Sequence, residues 1–345
     1  MKAAMAVISF MGLFLLSTAN AFAQVSGCTD PAALNYNPSA TVNDGSCSYP
    51  KTIYAPLVKT DPLATVLDES SGLQWAGGSL WSFNDGGNAA VLFRMDTASA
   101  KILQTVTLEG ATNVDWEDIA FDGTHLYIGD FGNNTGNRKD LKICRFPLRI
   151  IPDPKLEKSF QVPSRNIEVI RFRYADQSQP PVGNGVNRTK FDCEAMIVAG
   201  GKVHLFTKNW IENNTTHYVI DSVKEGDYIA KPLETLATNY LVTAADQWPG
   251  SDTVILIGYQ ARGTGAHFIH LLTGFGKGLY FNGNKRRIDL PSVAEIGQVE
   301  GLTFRNNRYG YISNEKFERT MFGLTLSVPP KLHAFHIDQI IGDKP

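Results

Sequence analysis

Glu117, Glu194 and Glu300 each open a similar phrase: Glu117-Asp118-Ile119-Ala120-Phe121, Glu194-Ala195-Met196-Ile197-Val198 and Glu300-Gly301-Leu302-Thr303-Phe304. Ser71-Gly72-Leu73-Gln74-Trp75 and Ala245-Asp246-Gln247-Trp248 align with them without gaps. Two positions earlier stand Glu69, Asp115, Asp192, Thr243 and Gln298. A second apolar run begins nine residues after each opening position, and these runs end near Asn84-Asp85, Asp130, Lys208, Tyr259 and Asn314-Glu315. If the five phrases meet, their carboxylates form a collar. Two carboxylates ~6 Å apart repel by roughly 3 kcal/mol at an effective dielectric of ~20, so converging glutamates require a cation, a proton or a basic side chain. Hard oxygen donors in a ring suit Ca²⁺ or Mg²⁺ rather than zinc. The sequence therefore nominates Glu117, Glu194 and Glu300 as ligands of Ca²⁺ or another divalent cation. Asp115, Asp130, Arg138, Asp192, Lys208, Asp246 and Glu315 are nominated as ligand-contacting residues around it. Arg138 ends the polar, glycine-rich loop 129–138, which either grips a ligand or is an extended tight turn. The competing use of the collar is structural: its carboxylates bond backbone N–H groups between neighbouring sheets, or channel water, with Lys208 neutralising part of the charge.

Such a collar needs elements that return to one axis five times. The opening positions 71, 117, 194, 245 and 300 are 46, 77, 51 and 55 residues apart. The second runs, LWSFND, LYIGDF, VHLFTK, VILIGY and YGYISN, are β-rich, and Gly, Asn or Asp separates them from the first runs. That is a hairpin pattern. A third strand follows in all five copies, at 91–96, 141–146, 217–223, 267–272 and 332–337. A fourth is visible at 102–108, 167–174 and 286–290, is weaker near Tyr228 to Leu236, and has no room in the last copy. Four-stranded antiparallel repeats in series predict an all-β protein, a β-propeller. Five blades are expected. Six is the alternative if the 77-residue repeat hides a degenerate blade, and a sandwich or jelly roll is the alternative architecture. The run from Thr52 to Leu67 is expected to supply the missing strand and so remove an exposed edge. Hairpin geometry then places the start of strand one and the end of strand two at one end of each blade, around one mouth of the channel.

The N-terminal part reads differently. Lys2, the apolar run Ala6 to Leu16 and Ala21-Phe22-Ala23 form a secretory leader, residues 1–23, cut before Gln24. The apolar run is shorter than the roughly 20 residues a membrane span needs. Val25-Ser26-Gly27-Cys28 also passes for a lipobox, which would anchor the chain at Cys28. The competing use of Cys28 is a bridge to Cys47. Residues 27–49 carry the turn formers Asp30-Pro31, Asn37-Pro38 and Asn43-Asp44-Gly45, with only Leu34, Tyr36 and Val42 as apolar content. A segment this small needs a staple, and closing a loop of about 20 residues contributes on the order of 3 kcal/mol. The pattern GCTDPxAxNYNPxAxxxDGSC resembles a short module of exported bacterial proteins. The resemblance implies a spacer or adhesive module at 24–50, with Asp30, Asn35, Asn37, Asn43 and Asp44 as calcium donors; ordinary turn capping is the alternative. The propeller occupies 51–345.

A second resemblance lies in the repeats. The phrases ESSGL…LWSFNDGG, DWEDIAFDG…LYIGDFGNN, DCEAM and GQVEGLTF are similar to those of secreted bacterial propellers of the phytase-like, gluconolactonase-like and strictosidine-synthase-like groups. It covers most of 60–320 and implies the fold more sharply than the reaction. In the lactonase-like enzymes a Glu opening the first blade holds a catalytic divalent metal. Here Ser71 stands at that place, with Glu69 two residues earlier. A phytase-like enzyme would need several Lys and Arg near the metal, and Lys208 and Arg138 are the candidates.

Composition bounds the rest. The 345 residues, 43% hydrophobic and 19% charged, suffice for one large or two ordinary domains. Lys+Arg at 32 against Asp+Glu at 34 excludes a nucleic-acid binder that works by bulk charge. No later stretch approaches the length of a membrane span, and no GxSxG elbow, HExxH or P-loop occurs. His267/His270 and His333/His336 are poor chelates, because residues i and i+3 of a strand face opposite ways. Cys144 and Cys193 bridge if strands bring them within about 7 Å, and are otherwise small buried hydrophobes. The expected protein is secreted, periplasmic or at the cell surface, and presents an acidic, cation-binding mouth to a small molecule, glycan or protein. The alternative is a metal-dependent hydrolase of lactone, ester or phosphate substrates, with a metal-bound water as nucleophile.

Overall fold

The computed structural model describes residues 24–341 except 182, 184, 262–264, 277 and 322. The expected leader, residues 1–23, lies outside the described residues. Among the described residues no helix is long and apolar enough to cross a membrane.

The chain opens with a parallel pair, β1 (Ser26–Gly27) and β2 (Val42–Asn43). Cys28 and Cys47 are disulfide-bonded, with Cα atoms 4.8 Å apart. That bond takes the sulfur a lipid anchor at Cys28 would require. Asp30, Asn37, Asn43 and Asp44 each accept the backbone N–H two residues on, and Asn35 accepts that of Ser48. The oxygens that the module resemblance offers to calcium therefore cap turns.

Next come β3 (Thr52–Ile53) and β4 (Leu57–Thr60). The first repeat is β5 (Ser70–Ala76), β6 (Ser79–Asn84), β7 (Val91–Met95) and β8 (Ile102–Leu108). The second is β9 (Trp116–Phe121), β10 (His125–Asp130), β11 (Lys142–Pro147), β12 (Ser159–Val162) and β13 (Glu168–Tyr174). The third is β14 (Cys193–Ala199), β15 (Lys202–Thr207), β16 (Thr215–Ile220) and β17 (Gly226–Leu236). The fourth is β18 (Leu241–Gln247), β19 (Thr253–Tyr259), β20 (Ala266–Thr273) and β21 (Asn284–Ser292). The last is β22 (Gln298–Phe304) and β23 (Tyr309–Glu315), a separate hairpin β24 (Phe317–Met321) and β25 (Leu324–Val328), and β26 (Lys331–His336).

The first strands β5, β9, β14, β18 and β22 pack against one another in a closed cycle, with β22 returning to β5. The arrangement is propeller-like. These inner strands are buried on both faces, whereas outer strands such as β13 alternate buried and exposed residues. Apolar clusters fill the spaces between successive repeats. Phe83 meets Trp116 edge-on at 5.3 Å between the first and second. Tyr127, Phe172, Met196 and Tyr218 fill the next space, and Phe206, Tyr240 and Leu256 the third. Ile257, Leu302 and Phe335 fill the fourth, and Leu73, Leu80, Tyr311 and Leu332 close the ring. Fully burying a side chain of this kind contributes roughly 1.5–3 kcal/mol.

Ring closure follows the expected route: β4 pairs antiparallel with β26. The separate four-stranded sheets expected for the second and third repeats are instead one eight-stranded sheet, β14-β15-β16-β17-β13-β11-β10-β9. The cause is β17, which at 11 residues outruns its 6-residue partner β16. Its leading residues Gly226–Ala230 pair in parallel with Ile170–Tyr174 of β13. In the same way β12 covers the free edge of β8, and β3 that of β21. Covered edges resist edge-to-edge association. The long second repeat thus uses its extra residues on β12 and on a polar loop before β14.

Candidate cation site at the ring mouth

Each inner strand breaks its ladder once. Glu117, Glu194, Thr243 and Glu300 are skipped by the neighbouring strand, and Ser71 and Gly72 are skipped together in β5. A bulge bends its strand and re-aims one side chain. The ungapped alignment puts Ala245 at this place in the fourth repeat; the structure puts Thr243 there. The loop between β18 and β19, residues 248–252, is two residues longer than the loop 122–124 of the second repeat. The two non-acidic bulges tie the ring together. Ser71 Oγ donates to the Glu117 carbonyl at 2.9 Å, and Thr243 Oγ1 to the Val299 carbonyl at 2.8 Å.

The carboxylates of Asp85, Asp115 and Glu117 converge, with one oxygen of each within 4.8 Å of the others. Two ligands of one Ca²⁺, each at 2.3–2.6 Å, can be no more than about 5 Å apart, so the trio fits a shared ion. Two glycines make the space. A Cβ on Gly132 would overlap oxygens of Glu117 and Asp115, and one on Gly86 would overlap Asp115. Phe131 and Gly132 both donate their N–H groups to the Asp115 carbonyl at 3.1 Å, which fixes the loop against the strand. Among the described residues no protein donor reaches the Asp115 or Glu117 carboxylate, and the Asp85 carboxylate accepts only the Gly86 N–H. Burial, helped by Asp85 and Asp192, pushes Asp115 up to about 7. Burial, then Glu194 and Asp85, holds Glu117 well above the usual carboxylate range.

The other two bulge glutamates stand in the same field. Glu194 pairs with Lys208 Nζ at 2.9 Å, yet burial still holds it well above the carboxylate range. Burial takes Glu300 to about 7 and Glu315 to about 8, and Gln298 bonds both. Burial alone would lower the pKa of Lys208; Glu194, Glu300 and Asp192 outweigh it and keep the ammonium charged. Its Nζ lies 5.0 Å and 5.3 Å from the ring centroids of Trp210 and Tyr259.

The remaining nominated residues sit elsewhere or are already engaged. Asp192 is fully buried and accepts Trp210 Nε1–H at 2.7 Å and the Asn133 N–H. Asp130, also fully buried, is held by Arg138 at 2.8 Å and Lys142 at 2.9 Å. Arg138 further bonds Asp140 and the Gly132 carbonyl, and it lines an outer pocket rather than the mouth. Asp246 accepts Thr303 Oγ1–H at 3.0 Å and the Phe304 N–H at 2.7 Å, so it staples two inner strands. Asp118, passed over in the sequence, does the same with the N–H groups of Met196 at 2.6 Å and Ile119 at 2.8 Å. Asp85 reads in the sequence as a strand end and not as a ligand. Its signal is the glycine beside it, Gly86, which gives the close approach that Gly132 gives on the next repeat. Cys144 and Cys193 are free and buried. His270 Nδ1 meets Tyr240 Oη at 2.9 Å and His267 Nδ1 meets the Pro291 carbonyl at 3.1 Å, in the core rather than as chelates.

No protein-family profile matches the sequence. No curated protein matches it either. Among solved structures, the PQQ-bound aldose sugar dehydrogenase of Streptomyces coelicolor is similar over 79% of this chain and 96% of that chain, at 10% identity and a TM-score of 0.41. Hydrazine synthase of Kuenenia stuttgartiensis is similar over 74% of this chain and 57% of that chain, at 14% identity and a TM-score of 0.38. A candidate 6-phosphogluconolactonase of Bacteroides uniformis is similar over 74% of this chain and 68% of that chain, at 11% identity and a TM-score of 0.35. Likeness this distant carries no activity with it. The ring and its mouth define the class: a propeller-like all-β protein with acidic bulge residues at one end of its axis.

Proposed function

We propose that the chain is an exported five-bladed β-propeller that binds a divalent cation, Ca²⁺ first, at the mouth of its ring and uses it to hold a ligand. In this reading 1–23 is the leader, 24–50 a stapled module and 51–345 the propeller. Each repeat is one blade, β13 completes the second, and β4 completes the fifth. The observation that carries the reading is the Asp85–Asp115–Glu117 trio: three carboxylates in range of one ion, walled by glycine and short of protein donors. Glu194 and Glu300 add charge from two further bulges. A bound cation would replace the protons that burial favours on Asp115 and Glu117, and its open positions would accept oxygens of a ligand. The Cys28–Cys47 bridge supports a compartment that permits disulfides.

Calorimetric titration of chelator-treated protein with Ca²⁺, Mg²⁺ and Zn²⁺ tests this. One Ca²⁺ site is expected, lost in Asp115→Asn and in Glu117→Gln. At a hundredfold excess over Kd, binding should stabilise the fold by about 2.7 kcal/mol. No uptake, together with no thermal shift on adding EDTA, would end the reading. The same samples, assayed on lactones, aryl esters and phosphate monoesters, separate holding from hydrolysis. Turnover that disappears in Glu194→Gln and Glu300→Gln with the fold intact would make the protein a hydrolase.

A further inference from the structure

On the outer flank of the fused second and third repeats lies a pocket of about 680 Å³. Arg138, Lys139, Lys142, Arg171 and Arg173 line it, against only Asp140 and Asp227. This is a cationic concavity on a chain whose net charge is −2. Strand register builds it. Lys142 on β11, Arg171 on β13 and Asp227 on β17 stand directly opposite one another across three neighbouring strands. Arg171 and Arg173 are both exposed on one face of β13, about 7 Å apart along the strand, while Ile170, Phe172 and Tyr174 face the core.

Two of the five cations are already engaged: Arg138 by Asp130 and Asp140, and Lys142 by Asp130. Among the described residues Lys139, Arg171 and Arg173 have no ion-pair partner. Like charges directly opposite across strands are destabilising, so Lys142 beside Arg171 costs the free protein stability that Asp227 only partly returns. An anion in the pocket would reverse that sign. Guanidinium groups favour planar, bidentate acceptors such as carboxylate and sulfate. The volume decides what carries them: pockets of ~300–1,000 Å³ suit molecules far larger than one inorganic anion. The rest of the lining includes Gln177 and Gln179, which donate their Nε2–H groups to the Gly136 and Gln177 carbonyls and keep their amide oxygens to accept the hydroxyl groups of a sugar.

We infer that this pocket binds an acidic oligosaccharide, two or three sugar units long, through Arg171, Arg173 and Lys139. The site includes none of the mouth carboxylates, so the inference stands apart from the cation reading and is tested with EDTA present. The probes are trigalacturonic acid, a heparin-derived disaccharide, maltotriose and inorganic phosphate, titrated calorimetrically at low salt. At least one of the two acidic sugars should bind at a single site and weaken on raising the salt, and maltotriose should not bind. Which acidic sugar binds distinguishes carboxylate from sulfate recognition. Arg171→Gln/Arg173→Gln should lower the affinity about tenfold or more with a melting temperature no lower than that of the wild type, because both side chains are exposed and the Lys142–Arg171 repulsion is relieved. Should that double variant melt early, Lys139→Gln carries the test and must also weaken binding. Failure of both acidic sugars to bind, undiminished binding in the variants, or phosphate binding as tightly as the sugars would overturn the inference.

Discussion

Glu117 and Asp118 are adjacent acids on one strand, both buried, and they have opposite surroundings. Asp118 receives backbone N–H groups from Met196 and Ile119 and thereby joins two inner strands. Glu117 faces Asp115 and Asp85 across a gap cleared by Gly132 and Gly86, with no protein donor among the described residues. Asp246 repeats the first situation on the fourth repeat. A buried carboxylate is therefore not by itself a sign of a site. What separates ligand from staple is the supply of donors, because an acceptor saturated by the protein has nothing left for an ion.

The comparison is broken most severely by removing the staple. Asp118→Ala leaves two backbone N–H groups buried without an acceptor, at about 1–3 kcal/mol each. Denaturant unfolding should show a loss of about 4 kcal/mol, with cation affinity falling only as far as the fold does. Glu117→Gln should do the reverse: it mimics the neutral acid that burial favours, leaves the cation-free protein about as stable as the wild type, and erases the Ca²⁺-dependent shift. Equal losses in the two variants would erase the distinction.

Lys208 tests the same contrast from the cation side, with the next largest effect. Removing one partner of a buried ion pair costs about 3–5 kcal/mol. Lys208→Met should lose about 3 kcal/mol in EDTA, because Glu194 then has no cation near it. Saturating Ca²⁺ should return much of that loss. A deficit that Ca²⁺ leaves untouched would mean that Lys208 and the cation site do not share a field.

The pH profile sharpens the comparison further. Asp115 and Glu300 at about 7 and Glu315 at about 8 are raised above their unfolded values. Their contribution is full below the ordinary carboxylate range and is lost as pH rises through 7 and 8. The buried histidines have the opposite sign. Burial lowers His204, His267 and His333 to about 4 and His270 to about 3, so their contribution is present above pH ~6.5 and is lost on acidification. Thermal melts in EDTA should peak between about pH 5 and 7. Saturating Ca²⁺ should lift the alkaline limb alone. A lift of both limbs, or of neither, would detach the mouth carboxylates from the cation.

How much of this was legible in the sequence follows from what each feature depends on. Repeats, hairpins and ring closure rest on local pattern and chain arithmetic, and Glu117, Glu194 and Glu300 follow from that register. The fusion of the second and third repeats depends on β17 being longer than its partner, which no hydrophobic alternation marks. The division between Glu117 and Asp118 depends on which backbone N–H groups a neighbouring strand presents, and Asp130 and Arg138 find each other through a loop whose course sequence does not dictate. The misplacement of Ala245 is the plainest case. A hairpin loop longer by two residues shifts the register while keeping the side-chain alternation, so nothing in the apolar pattern betrays it.

Thr243 supplies the smallest and most discriminating test. It occupies the same bulge as the three glutamates, yet its hydroxyl donates to the Val299 carbonyl on the next inner strand. If the bulge exists to build the ring, every bulge residue should matter to stability. If it exists to aim a side chain at an ion, only the acidic ones should matter to binding. Thr243→Val keeps shape and loses one hydrogen bond, so unfolding should cost about 1 kcal/mol while Ca²⁺ affinity stays at the wild-type value. Ser71→Ala should behave alike, because its hydroxyl makes the equivalent bond to the Glu117 carbonyl. A fall in Ca²⁺ affinity in Thr243→Val that exceeds its loss of stability would place the ion on the axis among all five bulges, and not beside Asp85, Asp115 and Glu117.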